Sequence, residues 1–104
     1  MAQYAVYRNP NPRTRAKLPY LLDIQSDLLS DLDTRVVVPL ARRDRVGAVI
    51  DELHPCFEVE GIEVVARTAQ LAGIPVALLG GYVTNLAEAR ATILAATDLL
   101  LTGI

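Results

Sequence analysis

The apolar residues of this chain come in short runs, most of them closed within about six residues by proline, glycine, asparagine or aspartate, a punctuation that favours short strands joined by turns. Tyr4-Ala5-Val6-Tyr7 is β-prone and stops at Asn9-Pro10-Asn11-Pro12, where the prolines remove ladder donors and the asparagines favour turns. A mobile loop is expected from there to Lys17. Tyr20-Leu21-Leu22-Asp23-Ile24-Gln25 supplies a second strand. Thr34-Arg35 leads into a third, Val36-Val37-Val38-Pro39-Leu40, whose valines favour extended backbone and whose proline places the strand end at an edge or bulge. Between these two, Ser26-Asp27-Leu28-Leu29-Ser30-Asp31-Leu32-Asp33 reads as an acidic connecting loop, and without a glycine it lacks the pattern of a calcium loop.

Cys56-Phe57-Glu58-Val59 and Ile62-Glu63-Val64-Val65 flank Glu60-Gly61, a hairpin turn. That turn puts Val59 opposite Ile62 and Phe57 opposite Val64 on one face, with Glu58 and Glu63 on the other. Thr68 to Gly73 reads as a turn or short helical excursion, and Ile74-Pro75-Val76-Ala77-Leu78-Leu79, closed by Gly80-Gly81, as a further strand. The last segment has helical periodicity: Leu86, Ala89, Ile93, Ala96 and Leu100 recur at helical spacing, Asn85 and Glu88 stand at capping-box distance, and Gly103 ends the pattern. About five or six strands and one C-terminal α-helix predict a mostly β fold, a small antiparallel barrel or sandwich with the helix packed on it.

A length of 104 residues predicts one domain over 1–104, and an apolar content of 52% is high enough for so short a chain to predict that part of that surface is buried in an oligomer. The apolar runs fall far short of the ~20 residues of a membrane span. Met1-Ala2-Gln3-Tyr4 carries no signal-peptide pattern, so a cytoplasmic location without membrane association is expected. The single cysteine, Cys56, excludes an internal disulfide, agrees with a reducing compartment and is expected to be a buried small hydrophobe.

The formal net charge of −2 hides a split: residues 1–50 carry +3 and residues 51–104 carry −5. Most of the positive charge lies in two clusters, Arg8/Arg13/Arg15/Lys17 and Arg42/Arg43/Arg45, both expected in loops. A sequence pI near 5.2 argues against a dedicated nucleic-acid binder and for an acidic protein partner. Catalytic chemistry is nearly absent from the pattern. His54 is the sole histidine, so a multi-histidine metal centre is excluded; Cys56, two residues on, has no third orienting group; and Gly80-Gly81 lacks the lysine of a phosphate loop.

Val6-Tyr7, Asp23-Ile24-Gln25-Ser26-Asp27, Val38-Pro39-Leu40, Leu53-His54-Pro55, Ile74-Pro75-Val76 with Gly80, and the terminal Gly103-Ile104 follow one another in an order and spacing that resembles the CcdB family over nearly the whole chain. The resemblance implies an SH3-like antiparallel barrel with a C-terminal helix, shared with toxins of the Kid kind. It implies a homodimer with that helix near the twofold axis. It also implies a toxin of a type II toxin–antitoxin pair that binds the A subunit of DNA gyrase, traps the cleaved-DNA complex and is neutralised by a CcdA-like antitoxin. No cofactor, no catalysis and no direct nucleic-acid binding without the antitoxin are implied. The family ends in Trp-Gly-Ile and engages gyrase there; Thr102-Gly103-Ile104 keeps the last two residues as candidate contacts and replaces the indole, so weak gyrase poisoning is expected. Arg8, Arg13, Arg15, Lys17, Arg42, Arg43 and Arg45 are the candidate antitoxin-binding residues. Two alternatives stand beside this: a non-toxic family member that binds antitoxin and regulates its operon, and an endoribonuclease like the MazF and Kid toxins, for which His54 and scattered Arg and Asp residues are the only acid–base groups.

Overall fold

Strand β3 (Thr34–Arg42) is nine residues long and carries partners on both edges. Along one edge it pairs with β2 (Tyr20–Asp23), which in turn pairs with β1 (Ala5–Arg8). The other edge changes partner midway: β6 (Ala72–Pro75) takes Thr34–Val37 and β5 (Ile62–Ala66) takes Leu40–Arg42. Pro39 sits at that change. Because Ile24 N donates to Val36 O, the alternation of the β2–β3 ladder turns the Pro39 nitrogen toward the other edge, where no partner strand needs a donor. Its carbonyl accepts instead from Arg67 N at 2.9 Å. With β4 (Cys56–Val59) and β7 (Tyr82–Asn85) at the ends, the path β4-β5-β3-β2-β1-β7 is antiparallel throughout and curls into a half-barrel consistent with an SH3-like fold. The C-terminal helix α1 spans Arg90–Thr102; the computed structural model describes residues 2–103.

Alternation assigns the core. Tyr4, Val6, Tyr20, Leu22, Val38, Leu40, Val59, Val64 and Ala66 point inward and receive Ile93 of α1. The opposite face is also closed: Ala5, Tyr7, Leu21, Asp23, Arg35, Val37, Ala41 and Val65 are buried. The three central strands are therefore covered on both sides, which is why they read as near-continuous apolar runs rather than as alternating ones. Each fully buried valine or leucine contributes roughly 1.5–3 kcal/mol, so both faces matter to stability.

The hairpin forms in the expected register, Phe57 opposite Val64, Glu58 opposite Glu63 and Val59 opposite Ile62. Glu60 and Gly61 have φ of 53° and 76°, the pair of positive values that a two-residue turn of this twist requires. Four expectations need correction. The strand expected at 74–79 lies earlier, as β6, and Val76–Leu78 is a short 3₁₀ turn whose first N–H donates to Asp33 O. The helix expected to start after Asn85 starts at Arg90: Tyr82–Asn85 is a strand added to β1, and Ala87–Ala89 a 3₁₀ turn. Asn85 still caps, its Oδ1 accepting from Ala87 N at 2.7 Å, but it caps that turn. Cys56 is exposed, because the alternation that puts Phe57 and Val59 inside puts Cys56 outside with Glu58. The segment after β1 is tied down: Asn9 Nδ2 donates to Thr14 Oγ1 and Leu18 O, while Asn9 Oδ1 and Asn11 Oδ1 accept from Asn11 N and Arg13 N.

Candidate partner-binding surfaces

The two basic clusters of the sequence meet at one rim of the sheet. Arg8 stands opposite Tyr20, Tyr20 opposite Leu40, and Arg42 N donates to Lys17 O at 3.0 Å. Two of the cations are held internally. Arg8 grips Glu60 with both terminal nitrogens, at 3.0 and 2.8 Å, and Arg42 grips Asp44, whose carboxyl it holds below the usual range. Arg43 Nη1 donates to the carbonyls of Val46 and Gly47. Arg13, Arg15, Lys17 and Arg45 are exposed, and among the described residues none of them makes an ion pair. Against expectation, Arg8 and Arg42 are strand ends and Arg43–Arg45 form a 3₁₀ turn.

Glu60 anchors this rim from the hairpin. Tyr20 OH donates to Glu60 Oε1 at 2.6 Å. Burial, and then that hydrogen bond, push the Tyr20 phenol up to about 12, while Arg8 and then Tyr20 hold the Glu60 carboxyl below its ordinary value.

A buried network behind the opposite face escaped the sequence reading. Arg35, fully buried, donates from Nε to Asp23 Oδ2 at 2.8 Å and from Nη2 to Asp23 Oδ1 and Gln25 O. Gln25 Oε1 accepts from Val36 N and Asp23 Oδ1 from Gln25 N. The signal that could have found it is spacing: Arg35 lies two residues before Val37, the partner of Asp23, on the same face and within diagonal reach. The adjoining acidic loop exposes Leu28, Leu29 and Leu32, with Leu28 94% exposed.

At the other candidate site, α1 buries only Ile93 and Ala96. Leu101 and Thr102 are exposed, Thr102 Oγ1 donates back to Asp98 O at 2.7 Å, and Gly103 closes the helix at φ 74° with its N–H on Leu99 O. Ile104 lies outside the described residues. His54 precedes β4, and its Nδ1 accepts from Ile50 N at 3.2 Å, while partial desolvation and the Glu63 charge push the Cys56 thiol up. No three His, Cys, Asp or Glu side chains gather as a metal site among the described residues, and none of their helices is long and apolar enough to cross a membrane.

A curled antiparallel sheet carrying a C-terminal helix and a cationic rim defines the class, a small mostly β half-barrel of SH3-like kind. The family model described as CcdB protein matches residues 3–103, and the chain belongs to the CcdB family. Membership makes it a toxin of a toxin–antitoxin pair. No curated protein matches the chain.

Proposed function

We propose that this chain poisons DNA gyrase by docking on the gyrase A subunit, where it traps the cleaved-DNA complex, that it acts as a homodimer, and that a CcdA-like antitoxin neutralises it through the cationic rim. Family membership over residues 3–103 carries this reading. The residues offered to gyrase are Thr102, Gly103 and Ile104, and those offered to the antitoxin are Arg8, Arg13, Arg15, Lys17, Arg42, Arg43 and Arg45. The toxin itself catalyses nothing in this reading; the cleavage it traps is made by gyrase. A largely uncovered α1 with an exposed leucine supports a partner at that helix.

The position before Gly103 sets the strength. An indole there would give a broad apolar contact, whereas the Thr102 hydroxyl is already engaged by Asp98 O. The loss expected is about 2 kcal/mol per site, or roughly thirtyfold in affinity. Gyrase-mediated DNA cleavage with purified protein tests this: the wild type should trap weakly, and Thr102→Trp should trap more strongly. Gly103→Glu should abolish trapping, since its φ of 74° disfavours a side chain and the change adds a charge. Equal trapping by wild type and Thr102→Trp would show that this position needs no aromatic anchor. The same Thr102 geometry favours a second reading, a family member that binds antitoxin and regulates its operon without arresting growth; normal growth on induction would select it.

A further inference from the structure

Asn9 and Pro10 form a ridge shared by two hollows, one lined by aliphatic side chains and one that carries arginines. The first is an apolar groove of about 430 Å³ whose walls include Pro12, Leu18, Leu21, Pro39, Ile74 and Leu78. The other is a hollow of about 390 Å³ bounded by Arg8, Arg15, Pro19 and the backbone of Gly80 and Gly81. Asn9 and Pro10 line both. The ridge is preorganised, because Asn9 is buried and its amide holds Thr14, Leu18 and Asn11. Gly80 N donates to Arg8 O and Arg8 N to Gly81 O, which holds the segment leading into β7 against β1. Of the two cations in the hollow, Arg8 is occupied by Glu60 and Arg15 makes no ion pair among the described residues. Arg13, also without an ion pair there, stands in sequence between Pro12 and Thr14, two residues of the groove wall.

We propose that this ridge reads a two-part motif in an acidic protein segment: an apolar side chain enters the groove, and a carboxylate beside it enters the hollow and meets Arg15. The occupant follows from charge and shape together. An uncompensated guanidinium beside an aliphatic groove complements a segment that is both acidic and apolar. A nucleic acid would find cations but no aromatic platform on which to stack bases, since neither lining contains a Phe, Tyr or Trp. A second copy of this chain is disfavoured by the cations it would bring together. In naming the segment as the antitoxin's, the inference rests on the toxin–antitoxin reading. The antitoxin then contributes anchoring as well as steering: the groove slows dissociation, while the cations raise the association rate.

The probe is a fluorescein-labelled peptide of about a dozen residues with two leucines followed by three glutamates, compared by anisotropy with a serine-for-leucine and a lysine-for-glutamate version. The full chain should bind the parent peptide and neither control. Leu78→Ser, which removes a half-exposed wall of the groove, should weaken binding about tenfold with little change in salt dependence. Arg15→Gln should weaken it about tenfold and flatten the salt dependence. Unchanged thermal melts of both variants would assign these losses to the surface. Equal binding of the serine version overturns the groove's part, equal binding of the lysine version overturns the hollow's part, and displacement of the parent peptide by an equally charged single-stranded oligonucleotide overturns the choice of a protein. Peptide-dependent self-association of the chain would make the site an interface between copies and overturn it as well. The assay contains no gyrase, so peptide binding without gyrase trapping leaves the inference standing and removes the gyrase-poisoning reading; trapping without peptide binding does the reverse.

Discussion

Tyr20 and Glu60 share one hydrogen bond but respond to opposite ends of the pH scale. The folded-state Tyr20 phenol is raised to about 12, so its contribution is complete below the ordinary tyrosine value of about 10 and is lost as pH rises from there toward the folded value. The Glu60 carboxyl is lowered, so its contribution is present above the ordinary glutamate value of about 4.3 and is lost as pH falls through the depressed folded value. Thermal melts should therefore be level at intermediate pH and fall at both ends. Tyr20→Phe should shrink the alkaline fall and Glu60→Gln the acid one. If Tyr20→Phe leaves the alkaline limb unaltered, the phenol is not the group responsible. A larger effect is expected at Arg35, both of whose Asp23 contacts are fully buried. Asp23→Ala leaves a buried guanidinium with only the exposed Asp27 carboxylate at 3.9 Å and should cost about 3–5 kcal/mol in urea denaturation, whereas Asp23→Leu with Arg35→Met together should cost far less. Similar losses for the single and double replacements would mean that packing, rather than the unpaired charge, sets the penalty.

Elements here depend on close backbone approach at a few points. A side chain on Gly80 would bring Cβ to 2.5 Å from Arg8 O, at the place where the chain enters β7 and hydrogen-bonds β1. Gly80→Ala should accordingly lower stability by about 1–3 kcal/mol, while Gly73→Ala in β6, with nothing within 4 Å, should melt close to the wild type. Comparable melting of the two variants would remove the case for a steric requirement at Gly80. The β4–β5 hairpin and the inward face of α1 were legible in the amino-acid order, because each depends on residues near one another in sequence: a two-residue turn sets the first register, and a spacing of three and four sets the second. β7 was not legible. Tyr82-Val83-Thr84-Asn85 is short and merges into the helical pattern after it, and only the free edge of β1 makes it a strand.

For the whole molecule, the apolar content of 52% has a consequence that the fold sharpens: Leu28, Leu29, Leu32, Ile50, Leu78, Tyr82, Leu94 and Leu101 are all exposed large apolar residues. A chain this short that leaves so many outside gains stability by covering them with a second chain. Light scattering at micromolar concentration should give twice the 11.3 kDa of one chain. A mass of one chain at that concentration would refute the homodimer and leave the exposed leucines to other partners.

By itself the amino-acid order determined the β-rich class, the hairpin register, the helix with its glycine stop and the resemblance to the CcdB family. The exposure of Cys56 also lay within its reach, since the alternation that sends Phe57 and Val59 inward sends Cys56 outward. Tertiary structure alone decided that both faces of the central strands are covered, that β3 exchanges β6 for β5 at Pro39, that Arg35 is buried on Asp23, and that the Arg8–Lys17 and Arg42–Arg45 clusters share one rim. The physical reason is common to all four. Local propensity and period are carried by neighbouring residues, whereas a strand's choice of partner, and with it the burial of a charge or the meeting of two loops, depends on backbone groups tens of residues away.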